Sequence, residues 1–70
     1  MKKIIFLNHA EERRRQRGFT SIEIQFVIER PKIKRKRSDG RIEVIGNIRN
    51  RTIKIIYEEE ENYINIVSLI

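Results

Sequence analysis

The densest chemical signal in this 70-residue chain is Arg30-Pro31-Lys32-Ile33-Lys34-Arg35-Lys36-Arg37, six basic side chains in eight positions, with Arg41 just beyond Ser38-Asp39-Gly40. In an extended strand Lys32, Lys34 and Lys36 face one way and Arg35 and Arg37 the other, so charge wraps both sides of the segment. Phosphate binding is the chemistry this suits. Each neutralised phosphate releases condensed counterions, and affinity then falls steeply with salt. Lysines on a strand also discourage edge-to-edge pairing, but one or two suffice for that, and this run exceeds the need. The candidate nucleic-acid-binding set is Lys32, Lys34, Arg35, Lys36, Arg37 and Arg41, joined by Arg51 at the start of a later strand.

A second constellation surrounds the single histidine. RNA cleavage through the 2′-hydroxyl needs a proton acceptor, a proton donor and positive charge over the phosphate. The one imidazole, His9, is the side-chain type that most often serves as proton acceptor, and Arg13 and Arg17 follow it at i+4 and i+8, on the same side of a helix. Tyr57 is a candidate to orient or protonate, which makes the candidate catalytic set His9, Arg13, Arg17 and Tyr57. The plainer alternative is that His9 sits at a helix start and the arginines pair with Glu11, Glu12 or Glu23. The acidic run Glu58 to Glu61 falls at an expected turn. Adjacent glutamates there point in different directions, so it reads as a solvated loop, and neither metal nor cofactor is expected.

The elements that must hold these residues are legible from periodicity. Residues 2 to 7 read as a short strand with apolar side chains on both faces. Asn8 as N-cap and Glu11 at N3 resemble a capping box, opening a helix that runs to Arg17 and stops at Gly18. Thr20 and Glu23 form a second box, with Phe19 placed to staple against Ile24. The helix that follows carries Ile22, Ile24, Phe26, Val27 and Ile28, ends at Arg30-Pro31, and is expected to be the buried one.

From Lys32 the period becomes that of strands. Residues 32–37 and 41–46 flank an Asp39-Gly40 turn as a hairpin. A turn at 47–50 leads to a strand over 51–57, in which Ile53, Ile55 and Tyr57 share a face. After a turn at 58–62, the strand 63–70 is apolar on both faces and belongs inside the sheet. The expected fold class is α+β: two N-terminal helices packed on a four- to five-stranded antiparallel sheet, residues 1–70 forming one domain.

Composition bounds the rest. A domain of this size buries only about 60% of the surface its unfolded chain exposes, so a homodimer or bound partner is an expected aid to stability. There is no cysteine for a disulfide or thiolate metal site, and the core depends on packing, much of it by isoleucine. No apolar run reaches the length of a signal peptide or membrane span, so a cytoplasmic location without membrane contact is expected. The formal net charge of +6 favours a polyanionic partner.

His9-Ala10-Glu11-Glu12-Arg13, Arg17-Gly18-Phe19-Thr20, Pro31, Asp39-Gly40-Arg41, Gly46 and Arg51 through Tyr57 together follow one known pattern. They resemble a bacterial and archaeal family of unknown function with the signature His-Ala-x-x-Arg-x-x-x-Arg-Gly, a relative of the RelE/ParE and BrnT toxins. The match spans nearly the whole chain, with Arg14 standing where the signature usually has an apolar residue. The resemblance implies two helices on an antiparallel sheet and a toxin-antitoxin setting. RelE-like toxins cut messenger RNA on the ribosome, BrnT-like ones act as ribonucleases, and ParE-like ones inhibit gyrase, so the superfamily leaves the target open. RelE-like enzymes often carry catalytic residues near a longer C-terminus, whereas this sequence stops at Ile70; catalysis would then fall to His9, the arginines and Tyr57.

Three expectations follow. The first is a toxin-like RNA-targeting protein, in its enzymatic form a metal-independent endoribonuclease of the mRNA-interferase type. The second is a non-catalytic basic module that binds RNA, DNA or the ribosome. The third is an interaction module for an acidic antitoxin-like protein.

Overall fold

A computed structural model describes residues 2–70. The chain runs β1 (Lys3–Phe6), α1 (Asn8–Arg17), α2 (Ser21–Glu29), β2 (Ile33–Lys36), β3 (Ile42–Ile48), β4 (Arg51–Glu59) and β5 (Tyr63–Leu69). The five strands form one sheet in the order β1-β5-β4-β3-β2. Each join from β2 to β5 is a hairpin, and those pairs are antiparallel. β1 instead lies parallel to β5, with Lys3 opposite Tyr63 and Phe6 opposite Ile66.

The sheet is therefore mixed, which corrects the expectation of a purely antiparallel one, and the helices lie between β1 and the meander rather than ahead of all the strands. The reason is the direction of travel. Three hairpins leave β5 running opposite to β2, and the helix pair returns the chain so that β2 also runs opposite to β1. β1 laid beside β5 must then be parallel, the arrangement that a long crossover rather than a turn permits. β5 lies inside the sheet, as its two-sided apolar pattern anticipates.

Local signals set the helix ends. At Thr20 the capping box is complete, the Glu23 N–H donating to Thr20 Oγ1 at 3.1 Å and the Thr20 N–H donating to Glu23 Oε1 at 2.8 Å. Gly18 closes α1 at φ 72°, a left-handed conformation that glycine adopts without a Cβ penalty, while the Phe19 N–H reaches back to the Arg14 carbonyl at 3.1 Å.

The expected box at Asn8 does not form. Leu7 is the N-cap, with no side-chain cap bond, and its carbonyl accepts from the Glu11 N–H at 2.9 Å. The Glu11 carboxylate turns instead to Arg14, which binds both its oxygens at 2.6 and 3.0 Å. A bidentate charge-assisted pair outcompetes a single backbone contact.

Both helices pack on one face of the sheet. Ile24, Val27 and Ile28 of α2 and Ala10 of α1 join a cluster with Phe19, Val44, Ile48, Ile53, Ile55, Tyr57, Ile64, Ile66 and Leu69. Close approach of α2 to β3 requires Gly46, where a Cβ would stand 2.9 Å from Val27 Cγ1. α2 is buried on that side only: Ile22 and Phe26 face outward, 77% and 52% exposed.

α1 has no such apolar face, and Arg14 supplies its anchor. The Arg14 guanidinium lies 5.4 Å from the centre of the Phe6 ring and donates to the Phe19 carbonyl at 2.8 Å. A charged side chain thus packs through its stem and its flat head where an apolar one would otherwise sit.

Candidate nucleic-acid interface

The basic hairpin forms the β2 edge of the sheet, and every residue of β2 is exposed. Its register pairs Ile33 with Ile45, Lys34 with Val44, Arg35 with Glu43 and Lys36 with Ile42. Val44 belongs to the core, so alternation puts Lys34 and Lys36 on the helix side of the sheet and Arg35 on the open side with Glu43. Asp39 supports the turn, its Oδ1 accepting from the Arg41 N–H at 3.0 Å.

The two sides of this hairpin differ in how their charge is held. Lys32, Lys34 and Lys36 pair with no carboxylate among the described residues. Arg35 Nη2 donates to Glu43 Oε2 at 2.5 Å, Arg37 Nη1 lies 3.6 Å from Glu43 Oε1, and Lys54 Nζ of neighbouring β4 lies 4.0 Å from the same oxygen. Glu43 is 5% exposed. The Arg35 hydrogen bond holds its carboxyl below the ordinary carboxylate value, against the upward push of burial, with the charges of Arg35, Lys54 and Arg37 assisting.

Glu43 and Lys54 do not stand out in the sequence as site residues. A usable signal exists: a hairpin closed at 38–40 sets Arg35 opposite Glu43, and a lone acid within Ile42-Glu43-Val44-Ile45 calls for a cationic partner.

Two other members of the basic set are drawn into the protein's own contacts. Arg41 Nε lies 3.6 Å from Glu58 Oε2. Arg51 lies at the far end of β4 from the 38–40 turn, where its Nη1 donates to the Arg17 carbonyl at 3.0 Å and its guanidinium lies 4.7 Å from the Phe19 ring centre. Arg49 joins it, donating to the Gly18 carbonyl at 2.9 Å and pairing with Glu23 at 2.9 Å. Together they satisfy carbonyls at the C-terminus of α1, where cations are favoured. Arg49 holds φ 50° and Asn50 φ 66°, the paired left-handed geometry of a two-residue hairpin turn.

The candidate catalytic residues are brought together in part. His9, Glu12, Arg13 and Gln16 line a shallow cavity of about 180 Å³ along the outer side of α1. His9 and Arg13 are exposed. Arg17 is half-buried and is not among the lining residues. Tyr57 lies in the core under the helices, 2% exposed, and burial pushes its phenol upward with the Glu59 carboxylate adding to the shift.

α1 packs on β5 and β1, at the opposite side of the sheet from β2. With about 4.8 Å between neighbouring strands, β1 and β2 stand roughly 19 Å apart. The basic hairpin and the His9 cavity are thus two surfaces rather than one. Among the described residues no group of three or more His, Cys, Asp or Glu side chains could hold a metal ion, and no helix is long and apolar enough to cross a membrane.

Fold and surface together define a small α+β protein with a basic sheet edge. The chain belongs to the family described as a domain of unknown function (DUF4258), whose model matches residues 6–70. No curated protein and no solved structure matches it.

Proposed function

We propose that this protein targets RNA by binding its phosphate backbone along the β2–β3 hairpin, as a toxin-like relative of the RelE/ParE and BrnT proteins. The observation that carries the reading is the exposed β2 edge. Lys34, Arg35 and Lys36 stand in four exposed residues, and Lys32 and Arg37 flank them. Cations at this density, on a backbone already ordered by pairing to β3, meet a regularly spaced polyanion without first paying the entropy of ordering the strand.

A second reading, metal-independent RNA cleavage, is favoured by one feature: the α1 cavity holds an imidazole and a guanidinium side by side at His9 and Arg13. There His9 would accept the 2′-hydroxyl proton and Arg13 would face the phosphate. Tyr57 does not line that cavity, so the proton donor would come from elsewhere. A long single strand could touch both surfaces at once, the hairpin holding it and α1 acting on it.

Labelled single-stranded RNA, free and on translating ribosomes, is incubated without metal with the wild type and with His9→Ala. Intact RNA that shifts in a low-salt gel with both proteins is the expected result. Cleavage by the wild type that disappears in His9→Ala would replace simple binding by the enzymatic reading. Failure to shift RNA at any salt concentration would contradict both, and would favour an acidic protein partner for the same surface.

A further inference from the structure

Among the described residues, one face of the sheet has no element packed on it. Both helices bury their side chains in a single cluster with the strand residues of the other face. Across this open face, alternation and register align Arg35 and Arg37 of the β2 edge, Glu43 of β3 and Lys54 of β4. Three cations converge here on one buried carboxylate, although among the described residues only one hydrogen bond to it is made, from Arg35 at 2.5 Å. Arg37 and Lys54, at 3.6 and 4.0 Å, are within Coulombic reach of Glu43 but keep their donors.

A guanidinium carries five N–H donors in a fixed fork and an ammonium three, so most donors of the trio remain open to a further acceptor. Asp39 lies 3.7 Å from Arg37 Nε at the rim of the cluster. Counting both acids, the group keeps a surplus of one positive charge, which balances the single negative charge of a phosphodiester.

We infer that Arg35, Arg37 and Lys54, set around the buried Glu43, form a phosphate receptor, so that the hairpin takes a phosphodiester on the open face of the sheet rather than along its lysine side. This rests on the nucleic-acid reading above and says which side of the hairpin the strand occupies. Glu43 has two roles in it. It draws three long, flexible side chains to one place before the ligand arrives, and its own charge limits how tightly an anion is held. Lys54 is the distinguishing member, because it lies outside the basic run and no reading built on that run alone requires it.

The test is an NMR titration of isotope-labelled protein with inorganic phosphate and, separately, with a short single-stranded RNA. It follows the side-chain N–H signals of Arg35 and Arg37 and the ammonium of Lys54. Affinity for the RNA is measured in parallel for Lys54→Ala and for Lys34→Ala combined with Lys36→Ala. Saturable shifts of the open-face signals are expected with both ligands. Lys54→Ala should weaken RNA binding about tenfold, as for the loss of a charge-assisted hydrogen bond, and the lysine pair only about threefold through long-range charge.

Glu43→Gln, checked for folding by its melting curve, should tighten binding severalfold; Glu61→Gln, an exposed acid in the β4–β5 turn, gives the effect of net charge alone. Equal gains from the two substitutions, or a reversed order of the lysine variants, would overturn the receptor while leaving RNA binding by the hairpin intact. Phosphate shifts at Arg35 and Arg37 without any RNA affinity would keep the receptor and remove the nucleic-acid reading.

Discussion

The two edges of this sheet carry charge in different ways. At the β2 edge, cations stand on a strand with nothing beyond it: Lys34 and Lys36 are exposed without acidic partners among the described residues, and Arg35 and Arg37 share one buried carboxylate with Lys54. Around α1, on the other side of the molecule, arginines hold the fold together. Arg14 packs on Phe6 and binds Glu11 and the Phe19 carbonyl, while Arg49 and Arg51 reach from the β3–β4 turn to the end of α1. Net charge is therefore a poor guide to a binding surface unless the cations tied to backbone carbonyls are set apart from those left to solvent.

The largest effect that tests this contrast comes from the hairpin. Replacing Lys34, Arg35, Lys36 and Arg37 by Ala should lower RNA affinity by at least about a hundredfold near physiological salt, since several phosphates then go unneutralised at once. The same measurement on Arg15→Ala, an exposed α1 cation, should change affinity by no more than about threefold. Comparable reductions would mean that charge acts diffusely and that the edges do not differ.

Arg51 sharpens the comparison, because its type and position suggest phosphate binding whereas its contacts are structural. Arg51→Ala should lower the unfolding free energy by about 1 kcal/mol, the sum of a modest hydrogen bond and a cation–π contact, with little change in RNA affinity. A strong drop in affinity without destabilisation would return Arg51 to the interface.

The smaller effect is on acid stability, where each edge contributes one carboxylate. Hydrogen bonds from arginines hold Glu43 and Glu11 below the ordinary value of 4.5 in the folded protein. Each therefore contributes stability that is complete above that value and is lost as pH falls through the lower, folded one. Chemical denaturation across the acid range should show stability declining below about pH 4.5, and Glu43→Gln and Glu11→Gln should each flatten part of the decline. The buried Tyr57 phenol has the opposite sign. Raised above its ordinary 10.0, it contributes stability below that pH that disappears as pH rises through the folded value.

Much of the fold is legible in the sequence because its signals are local. The Thr20–Glu23 box, the Gly18 stop, the Arg30-Pro31 end and the Asp39-Gly40 turn each depend on residues close in sequence, and each forms as expected. What sequence reasoning misses depends on distant partners. The parallel pairing of β1 with β5 joins the two ends of the chain and has no turn to announce it. Arg14 takes Glu11 from the cap expected at Asn8, and that choice depends on Phe6 and the Phe19 carbonyl lying near.

The candidate site divides along the same line. The basic run is contiguous and stays together on one edge. His9, Arg13, Arg17 and Tyr57 are grouped by chemistry: helical spacing keeps His9 and Arg13 in one cavity, while strand alternation buries Tyr57 in the core.

The central claim, that the β2 edge is where a polyanion binds, is tested most directly by the salt dependence of binding. Affinity for a labelled single-stranded RNA is measured across a range of salt concentrations for the wild type, the four-alanine hairpin variant and His9→Ala combined with Arg13→Ala. The slope of log affinity against log salt should fall by about 0.7 for each phosphate that the hairpin variant no longer neutralises, and stay near the wild-type value in the α1 variant. A slope unchanged by the hairpin substitutions and reduced by those on α1 would place the interface on the other side of the molecule and contradict the account.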